Sequence, residues 1–150
     1  MAERTLVLLK PDAVQRGLVG KIISRLEDRG LKIAGIKLLR MDMATAQRHY
    51  AEHVNKPFFQ GLSEFMMSRP IIALAVEGKN AVEAVRNTMG ATNPQNAAPG
   101  TIRGDMATDI GRNLIHGSDS PESAERELGI FFGEGEILDY QRESDRWVVE

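Results

Sequence analysis

The sequence predicts an α+β domain in which several helices pack on one antiparallel sheet. Short continuous apolar runs, typical of buried strands, alternate with segments in which apolar residues recur at helical spacing. Prolines and glycines stand between these segments and mark their ends. The resulting order is strand, helix, strand, two helices, strand, helix, long loop, short strand and helix. This order favours helices segregated on an antiparallel sheet, in a split βαβ arrangement.

The first half of the chain supplies two strands and three helices. A continuous apolar run at residues 5–9 predicts a buried strand, which Pro11 ends. The helix that follows ends at Gly30. Loose alternation over residues 31–41 predicts the second strand. The apolar positions of the first helix are Leu18, Val19, Ile22, Ile23 and Leu26, and two more short helices are predicted over residues 45–54 and 59–68.

The second half of the chain completes the pattern. Residues 71–76 form the third apolar run, which Gly78 ends. Apolar spacing over residues 82–89 predicts another helix. Residues 90–104 are rich in Gly, Pro, Asn and Ala and predict a long loop, and loops of that length in a compact domain are usually functional or disordered. The last predicted elements are a short strand that ends before His116 and a helix over residues 121–131.

Length and composition limit the classes of function. A chain of 150 residues predicts a single domain over 1–150, with a C-terminal tail from about residue 133 to 150. The absence of cysteine excludes disulfides, thiolate catalysis and cysteine-ligated zinc. A net charge of −2 gives no case for membrane or specific nucleic-acid binding. The first apolar run is too short for a signal peptide or a membrane span, so a cytoplasmic protein is expected.

The segment around His116 is the most informative part of the chain. Leu114 and Ile115 read as the end of a buried strand, and Ser120 and Pro121 are suited to the N-cap and first position of the next helix. An imidazole at a strand end beside a helix N-terminus is well placed to handle phosphate. The alternative is a histidine that merely satisfies a turn.

Other segments add candidate phosphate and base contacts. Between Arg86 and Arg103 the chain has no Asp or Glu and many donors, a composition suited to phosphate oxygens, although the arginines of a solvated loop could equally pair with surface carboxylates. Lys10 follows the first strand and can reach a phosphate or simply solvent. Phe58 offers a ring face for a nucleobase or joins the core. Tyr50 is a hydroxyl donor or a surface residue.

Two apparent motifs are rejected. The glycines of residues 17–22 lack the spacing of a P-loop, so Lys21 is expected on a helix surface. His49 and His53 have the i, i+4 spacing of a metal pair, but Tyr50 stands where the zincin pattern needs Glu. We therefore expect that pair on a solvated helix face.

Together these residues resemble the nucleoside diphosphate kinase family. The resemblance runs from about residue 3 to about residue 132, and the block around His116 is highly specific. The matching stretches are ERT at 3–5, KPDAVQRG at 10–17, KPFF at 56–59, Arg86, MGATNP at 89–94, PGTIRGD at 99–105 and NLIHGSDS at 113–120.

The resemblance implies a fold, a reaction and an assembly. The fold is a ferredoxin-like αβ sandwich with a four-stranded antiparallel sheet. The reaction moves the terminal phosphate of a nucleoside triphosphate, chiefly ATP, to a nucleoside diphosphate through a phosphohistidine on His116, in a ping-pong cycle. Mg²⁺ is the implied cofactor and is carried by the nucleotide phosphates rather than by protein ligands. The implied assembly is a homo-oligomer, with a hexamer favoured over a tetramer.

The resemblance also assigns site residues. Glu127 orients the histidine, and Ser118 lies beside it. The implied catalytic set is His116, Glu127, Lys10, Tyr50 and Ser118, and the implied nucleotide-binding set is Lys10, Phe58, Arg86, Thr92, Arg103 and Asn113. Two alternatives from other classes are a regulator that binds nucleotides or nucleic acid, and a protein-histidine phosphodonor. Turnover of a nucleoside diphosphate with ATP separates the enzyme from both.

Overall fold

The computed structural model describes residues 2–150 and has a four-stranded antiparallel sheet in the order β2-β3-β1-β4. This is the predicted ferredoxin-like α+β fold. The strands are β1 (Glu3–Leu9), β2 (Lys32–Leu39), β3 (Ile71–Gly78) and β4 (Ile115–Gly117). The helices are α1 (Pro11–Gln15), α2 (Val19–Asp28), α3 (Met43–His49), α4 (Phe59–Ser68), α5 (Ala81–Met89), α6 (Ile102–Met106) and α7 (Pro121–Phe131).

The two central strands are buried on both faces. Successive residues of a strand point to opposite faces, so Val7 and Leu9 join one hydrophobic cluster and Leu6 and Leu8 join the other. Helices α2 and α5 supply the first cluster, and α3, α4 and α7 supply the second. A strand covered on both faces has to be apolar at every position, which explains the continuous run at residues 5–9.

The structure adds two short helices that were not predicted and moves His116 into a strand. Pro11 ends the first strand as predicted, but it also begins α1, because a proline needs no hydrogen-bond partner at the first helical position. The predicted loop contains α6, which Thr101 caps by accepting from the backbone N–H of Gly104 at 3.0 Å. His116 lies within β4 rather than after it, paired with Leu8 of β1.

The predicted helix over residues 45–54 was too long. Helix α3 begins at Met43, where Asp42 caps it, and ends at His49. A single 3-10 turn over Ala51–His53 follows it. The remaining elements agree with the predictions to within a few residues.

The C-terminal segment crosses the outer edge of β2. The backbone N–H of Leu138 donates to the carbonyl of Ala34, and the hydroxyl of Tyr140 donates to the carbonyl of Ile33. Arg142 donates to the carbonyls of Gly30 and Leu31. The first half of the edge strand is therefore covered by the chain's own tail.

The second half of that edge is open in the single chain. Ile36 and Leu38 are 57% and 65% exposed. Within residues 2–150, no helix combines the length and apolar character that a membrane crossing requires.

Candidate active site

The geometry around His116 follows from its place on a short strand next to a helix start. β4 pairs with the end of β1, and the chain then turns into α7, which Ser120 caps by accepting from the backbone N–H of Ser123 at 3.1 Å. Helix α7 crosses back over β1. This crossing brings Glu127, on the second turn of α7, under the imidazole.

His116, Glu127 and Ser118 form one hydrogen-bonded group. Nε2 of His116 lies 2.7 Å from Oε1 of Glu127, and the hydroxyl of Ser118 donates to the same oxygen at 2.9 Å. Burial raises the pKa of Glu127, but the hydrogen bonds from His116 and Ser118 and the nearby histidines bring that pKa below its usual value. An ionised carboxylate only accepts hydrogen bonds, so the imidazole proton lies on Nε2 and Nδ1 carries the free lone pair.

His49 was predicted on a solvated helix face, and that prediction was wrong. Its side chain is 4% exposed, and its ring stands edge-on to that of His116 with 4.9 Å between centroids. Phe131 and Tyr50 pack on the same ring at 5.3 and 4.5 Å. Burial, followed by the charge of His116, lowers the pKa of His49 to about 3. His49 is therefore neutral at physiological pH, and its ring packs against the ring of His116.

Lys10 and Asn113 meet beside His116. Lys10 Nζ donates to Oδ1 of Asn113 at 2.9 Å, and Asn113 Nδ2 donates to the carbonyl of Thr92 at 3.0 Å. Burial and, second, the charge of Arg103 lower the pKa of Lys10 to about 8. These contacts bring together the end of β1, the loop after α5 and the segment before β4, as the predicted site requires.

Arg103 is buried against backbone rather than against carboxylates. It donates to the carbonyls of Gly90, Asn113 and Ile115 at 3.0, 3.1 and 2.6 Å. Burial and, second, the charge of Arg86 lower the pKa of Arg103 to about 10. The guanidinium therefore stays positive at neutral pH and also fixes the backbone on both sides of Leu114.

Arg86 and the aromatic residues lie around this centre. Arg86 is exposed and donates to the carbonyl of Gly117 at 3.2 Å. Phe58 is 52% exposed, with the ring of His53 5.3 Å from its own. Tyr50 is half-buried, and burial raises the pKa of its hydroxyl, so the hydroxyl stays protonated.

Two residues of this region were missed as site residues. His49 carried no sign of burial, because a buried polar residue interrupts the apolar pattern from which burial is inferred. Asp12 lies in the quoted KPD stretch, yet its carboxylate was given no role. Its Oδ2 accepts from the backbone N–H of Leu114 at 3.0 Å, and the residue is buried.

The arrangement has the chemistry of a phosphoryl acceptor. A neutral imidazole offers a lone pair on Nδ1, held in one tautomer by a carboxylate. Three cations lie around β4 and can neutralise a polyanion. Lys10 and Arg103 contact residues at and just before its start, and Arg86 contacts Gly117 at its end. Phosphoryl transfer depends mainly on positioning and charge neutralisation, which these groups provide.

Comparison with known proteins agrees with this chemistry. The family model described as nucleoside diphosphate kinase matches residues 3–137. A nucleoside diphosphate kinase from Thermomicrobium roseum is 56% identical over 98% of this chain and 99% of its own length. One from Pelotomaculum thermopropionicum is 57% identical over 99% of both chains.

Solved structures agree as well. A nucleoside diphosphate kinase of Halobacterium salinarum in complex with CDP superimposes with a TM-score of 0.96 at 52% identity, covering 100% of both chains. A family member from Babesia bovis has a TM-score of 0.95 at 39% identity, over 97% of this chain and 99% of its own. The chain belongs to the nucleoside diphosphate kinase family, whose enzymes transfer phosphate between nucleotides.

Proposed function

We propose that His116 carries the phosphate between the two halves of this transfer. The observation that supports the proposal is the hydrogen bond from His116 Nε2 to Glu127, which leaves Nδ1 free. Lys10, Arg86 and Arg103 make their hydrogen bonds to the neighbouring residues of β4 and the segment before it. In the first half-reaction Nδ1 attacks the terminal phosphorus of a nucleoside triphosphate, chiefly ATP. The new N–P bond forms as the bridging P–O bond breaks, and the nucleoside diphosphate leaves with that oxygen.

The second half-reaction reverses the first. A terminal oxygen of an incoming nucleoside diphosphate attacks the phosphohistidine, and the N–P bond breaks as the P–O bond forms. Because both half-reactions use one site, the kinetics are ping-pong. Glu127 keeps the Nε2 proton in place throughout and stabilises the positive charge that develops on the ring. Ser118 holds the carboxylate of Glu127.

The other proposed site residues hold the nucleotide. Lys10, Arg86 and Arg103 neutralise the phosphate charge, and Asn113 and Thr92 contact the phosphates and the sugar hydroxyls. Tyr50 adds a protonated hydroxyl at the same end of the site. Phe58 stacks on the base, and stacking tolerates every base, as an enzyme that serves many nucleotides requires. The Halobacterium relative binds CDP, a pyrimidine nucleotide.

Members of this family depend on a divalent cation, and we propose Mg²⁺ for this chain. The residues present fit a metal that arrives on the nucleotide. The carboxylates of this centre are already engaged: Glu127 accepts two hydrogen bonds, and Asp12 accepts one from the backbone. The magnesium nucleotide is then the substrate. Its metal ion would neutralise the part of the phosphate charge that the protein cations do not.

The proposed assembly is a homo-oligomer, with a hexamer favoured over a tetramer. Large apolar side chains are exposed in the single chain at the open half of β2, in the loop before β4 and in the tail. They are Ile36, Leu38, Ile110 and Trp147. Exposed apolar groups of this size in three separate segments favour contacts with neighbouring copies. The single domain and the cytoplasmic location stay predictions.

The direct test is mass analysis of the protein after addition of Mg²⁺ and ATP, with His116→Ala as the control. We expect a single phosphate on the wild-type chain, its loss on addition of a nucleoside diphosphate, and no phosphate on the variant. Initial rates at varied donor and acceptor are expected to give parallel double-reciprocal lines. Phosphate on the His116→Ala chain contradicts the proposal. A phosphorylated chain that does not turn over nucleotide supports a protein phosphodonor instead.

A further inference from the structure

A strained turn lies directly before His116. Leu114 has a φ of 73°, and its side chain is fully buried. Across it, the backbone N–H of Ile115 donates to the carbonyl of Asn113 at 2.9 Å. A hydrogen bond between residues i and i+2 with positive φ at the centre defines the rare and strained form of the γ-turn. The turn sets the direction in which β4, and therefore the imidazole, leaves the preceding loop.

The residues after β1 hold this turn from both sides. The backbone N–H of Lys10 donates to the carbonyl of Leu114 at 2.9 Å, and Oδ2 of Asp12 accepts from the N–H of the same residue at 3.0 Å. Arg103 donates to the flanking carbonyls of Asn113 and Ile115. Strained backbone persists only where its surroundings fix it, and here both polar groups of Leu114 are fixed. Asp12 supplies the side-chain part of that support.

Stability alone does not explain this carboxylate. Asp12 is 8% exposed, and within residues 2–150 its second oxygen, Oδ1, has no hydrogen-bond partner. Burying a carboxylate with one oxygen unpartnered costs free energy that an apolar residue would avoid. The strained backbone of Leu114 and the unfavourably buried carboxylate of Asp12 are therefore in direct contact, two residues before His116. Such costs persist where a function maintains them.

We infer that Asp12 is a positioning residue for the phosphorylation of His116. Its carboxylate fixes the amide of Leu114, and the fixed turn holds the imidazole on the line of attack. Asp12 acts through the backbone of Leu114, whereas the side-chain hydrogen bond of His116 is to Glu127. The inference rests on the proposed function, because it assumes that His116 is the residue phosphorylated.

The test compares three changes at Asp12 with a matched carboxylate elsewhere. Asp12→Asn keeps an oxygen that can accept from the Leu114 amide. Asp12→Ala and Asp12→Leu remove the acceptor, and leucine nearly fills the original volume should alanine leave the chain poorly folded. Glu3→Ala is the control, because Glu3 also accepts a backbone N–H, that of Val82 at 2.8 Å, at the opposite end of β1.

The measurement is the rate constant of phosphorylation by saturating Mg²⁺–ATP in a single turnover of the folded chain. We expect Asp12→Ala and Asp12→Leu to be slower by about 10- to 100-fold, the scale for a small misplacement of a reacting group. Nucleotide Kd is expected to change little, and Asp12→Asn to retain most of the rate. Glu3→Ala is expected to phosphorylate at the wild-type rate.

Hydrogen exchange at the Leu114 amide gives a readout that does not depend on activity. Exchange there is expected to accelerate by about tenfold or more in Asp12→Ala and Asp12→Leu but not in Asp12→Asn. Wild-type rates in the acceptor-less variants, or equal losses in all three Asp12 variants, overturn the inference. Phosphate on the His116→Ala chain would instead overturn the proposed function, so the two failures are distinguishable.

Discussion

The ring of His49 stands edge-on to the ring of His116, with 4.9 Å between the centroids and 87° between the planes. Both nitrogens of His49 are buried, and neither has a hydrogen-bond partner within residues 2–150. An aromatic edge-to-face contact needs the ring and not its charge. His49 therefore packs against the imidazole of His116 as a neutral ring, and its burial has a consequence for stability in acid.

Replacing His49 with phenylalanine is expected to reduce the loss of unfolding free energy that occurs as the pH falls below 6.5. An unfolded histidine takes up a proton near pH 6.5, whereas burial lowers the folded pKa of His49 to about 3. Between these values the unfolded chain binds more protons, so stability falls as pH decreases. Between pH 6.5 and 4.5 the free energy of unfolding that is lost through His49 amounts to roughly 2–3 kcal/mol. Urea unfolding at several pH values across this range measures the loss in the wild type and in His49→Phe.

The control for this prediction is His53→Phe, which changes a second histidine four residues along the chain, in the 3-10 turn after α3. That variant keeps His49 and is expected to retain the wild-type slope. A slope that is unchanged in His49→Phe would show that His49 does not stay neutral in the folded chain.

Replacing Glu127 with glutamine is expected to slow phosphorylation of His116 by roughly 10- to 100-fold, by analogy with the partners that orient metal-bound histidines. A glutamine can donate to Nε2 as well as accept from it, so the tautomer with a free Nδ1 is no longer enforced. Rapid-quench measurement of phosphoenzyme formation tests this. Glu125→Gln, an exposed change on the same helix, is the control. Equal rates for the wild type and Glu127→Gln would exclude the orienting role.

Glu127 also contributes to stability with a defined sign. Its folded pKa lies below the usual carboxyl value because of its hydrogen bonds from His116 and Ser118, although burial opposes them. A lowered pKa stabilises the fold above the unfolded value, about 4.3, and this contribution is lost as pH falls through the folded pKa. Glu127→Gln should therefore lose stability at pH 7 and less at pH 3.

Activity is expected to decline on the alkaline side as Lys10 loses its proton. Burial and the charge of Arg103 lower the pKa of Lys10 to about 8, so the free enzyme holds a neutral amine above that pH. The decline belongs in kcat/KM, which reports the free enzyme. Lys10→Arg keeps the charge and is expected to move the alkaline limb to higher pH. If the alkaline decline of kcat/KM stayed at the same pH in Lys10→Arg, the titrating group would not be Lys10.

Replacing Arg103 with alanine is expected to reduce both turnover and stability. Turnover should fall by roughly 10²–10³, the scale for one preorganised charge-stabilising group. Stability should fall by a few kcal/mol, because three backbone carbonyls lose their donor. Chemical unfolding and kcat of the folded fraction separate the two effects. Arg16→Ala removes a comparable arginine–carbonyl bond, to Met106 at 2.7 Å, and is expected to spare turnover.

Deleting residues 145–150 is expected to weaken the oligomer and lower the melting temperature. Trp147 is 80% exposed in the single chain, while Val148 contacts the region of Gly30. The tail therefore docks partly on its own subunit and leaves its largest apolar group for a neighbour. Sedimentation of the full-length and truncated proteins measures this, with phosphorylation of His116 expected to survive at first. Unchanged assembly and unchanged melting would show that the tail is dispensable.

The sequence by itself determined the class of fold, and it predicted that His116 is the reactive histidine. Strands buried on both faces need a continuous apolar run, and the helix before Gly30 repeats its apolar residues at 3.6-residue spacing. Each pattern therefore indicates which residues of its own element are buried. Ser120 and Pro121 mark the start of α7 through local backbone chemistry. The resemblance carried by the block around His116 pointed to the family that the comparisons then confirmed.

Only the tertiary structure decided how the candidate site is held. The contacts that fix it join segments far apart in sequence: Asp12 with Leu114, Lys10 with Asn113, and His49 with His116. A local pattern could not predict that a leucine would adopt a positive φ, or that a histidine on a polar helix face would be buried. Both depend on groups that approach only after the sheet has formed, because their hydrogen bonds and ring contacts belong to the packed chain and not to any single segment.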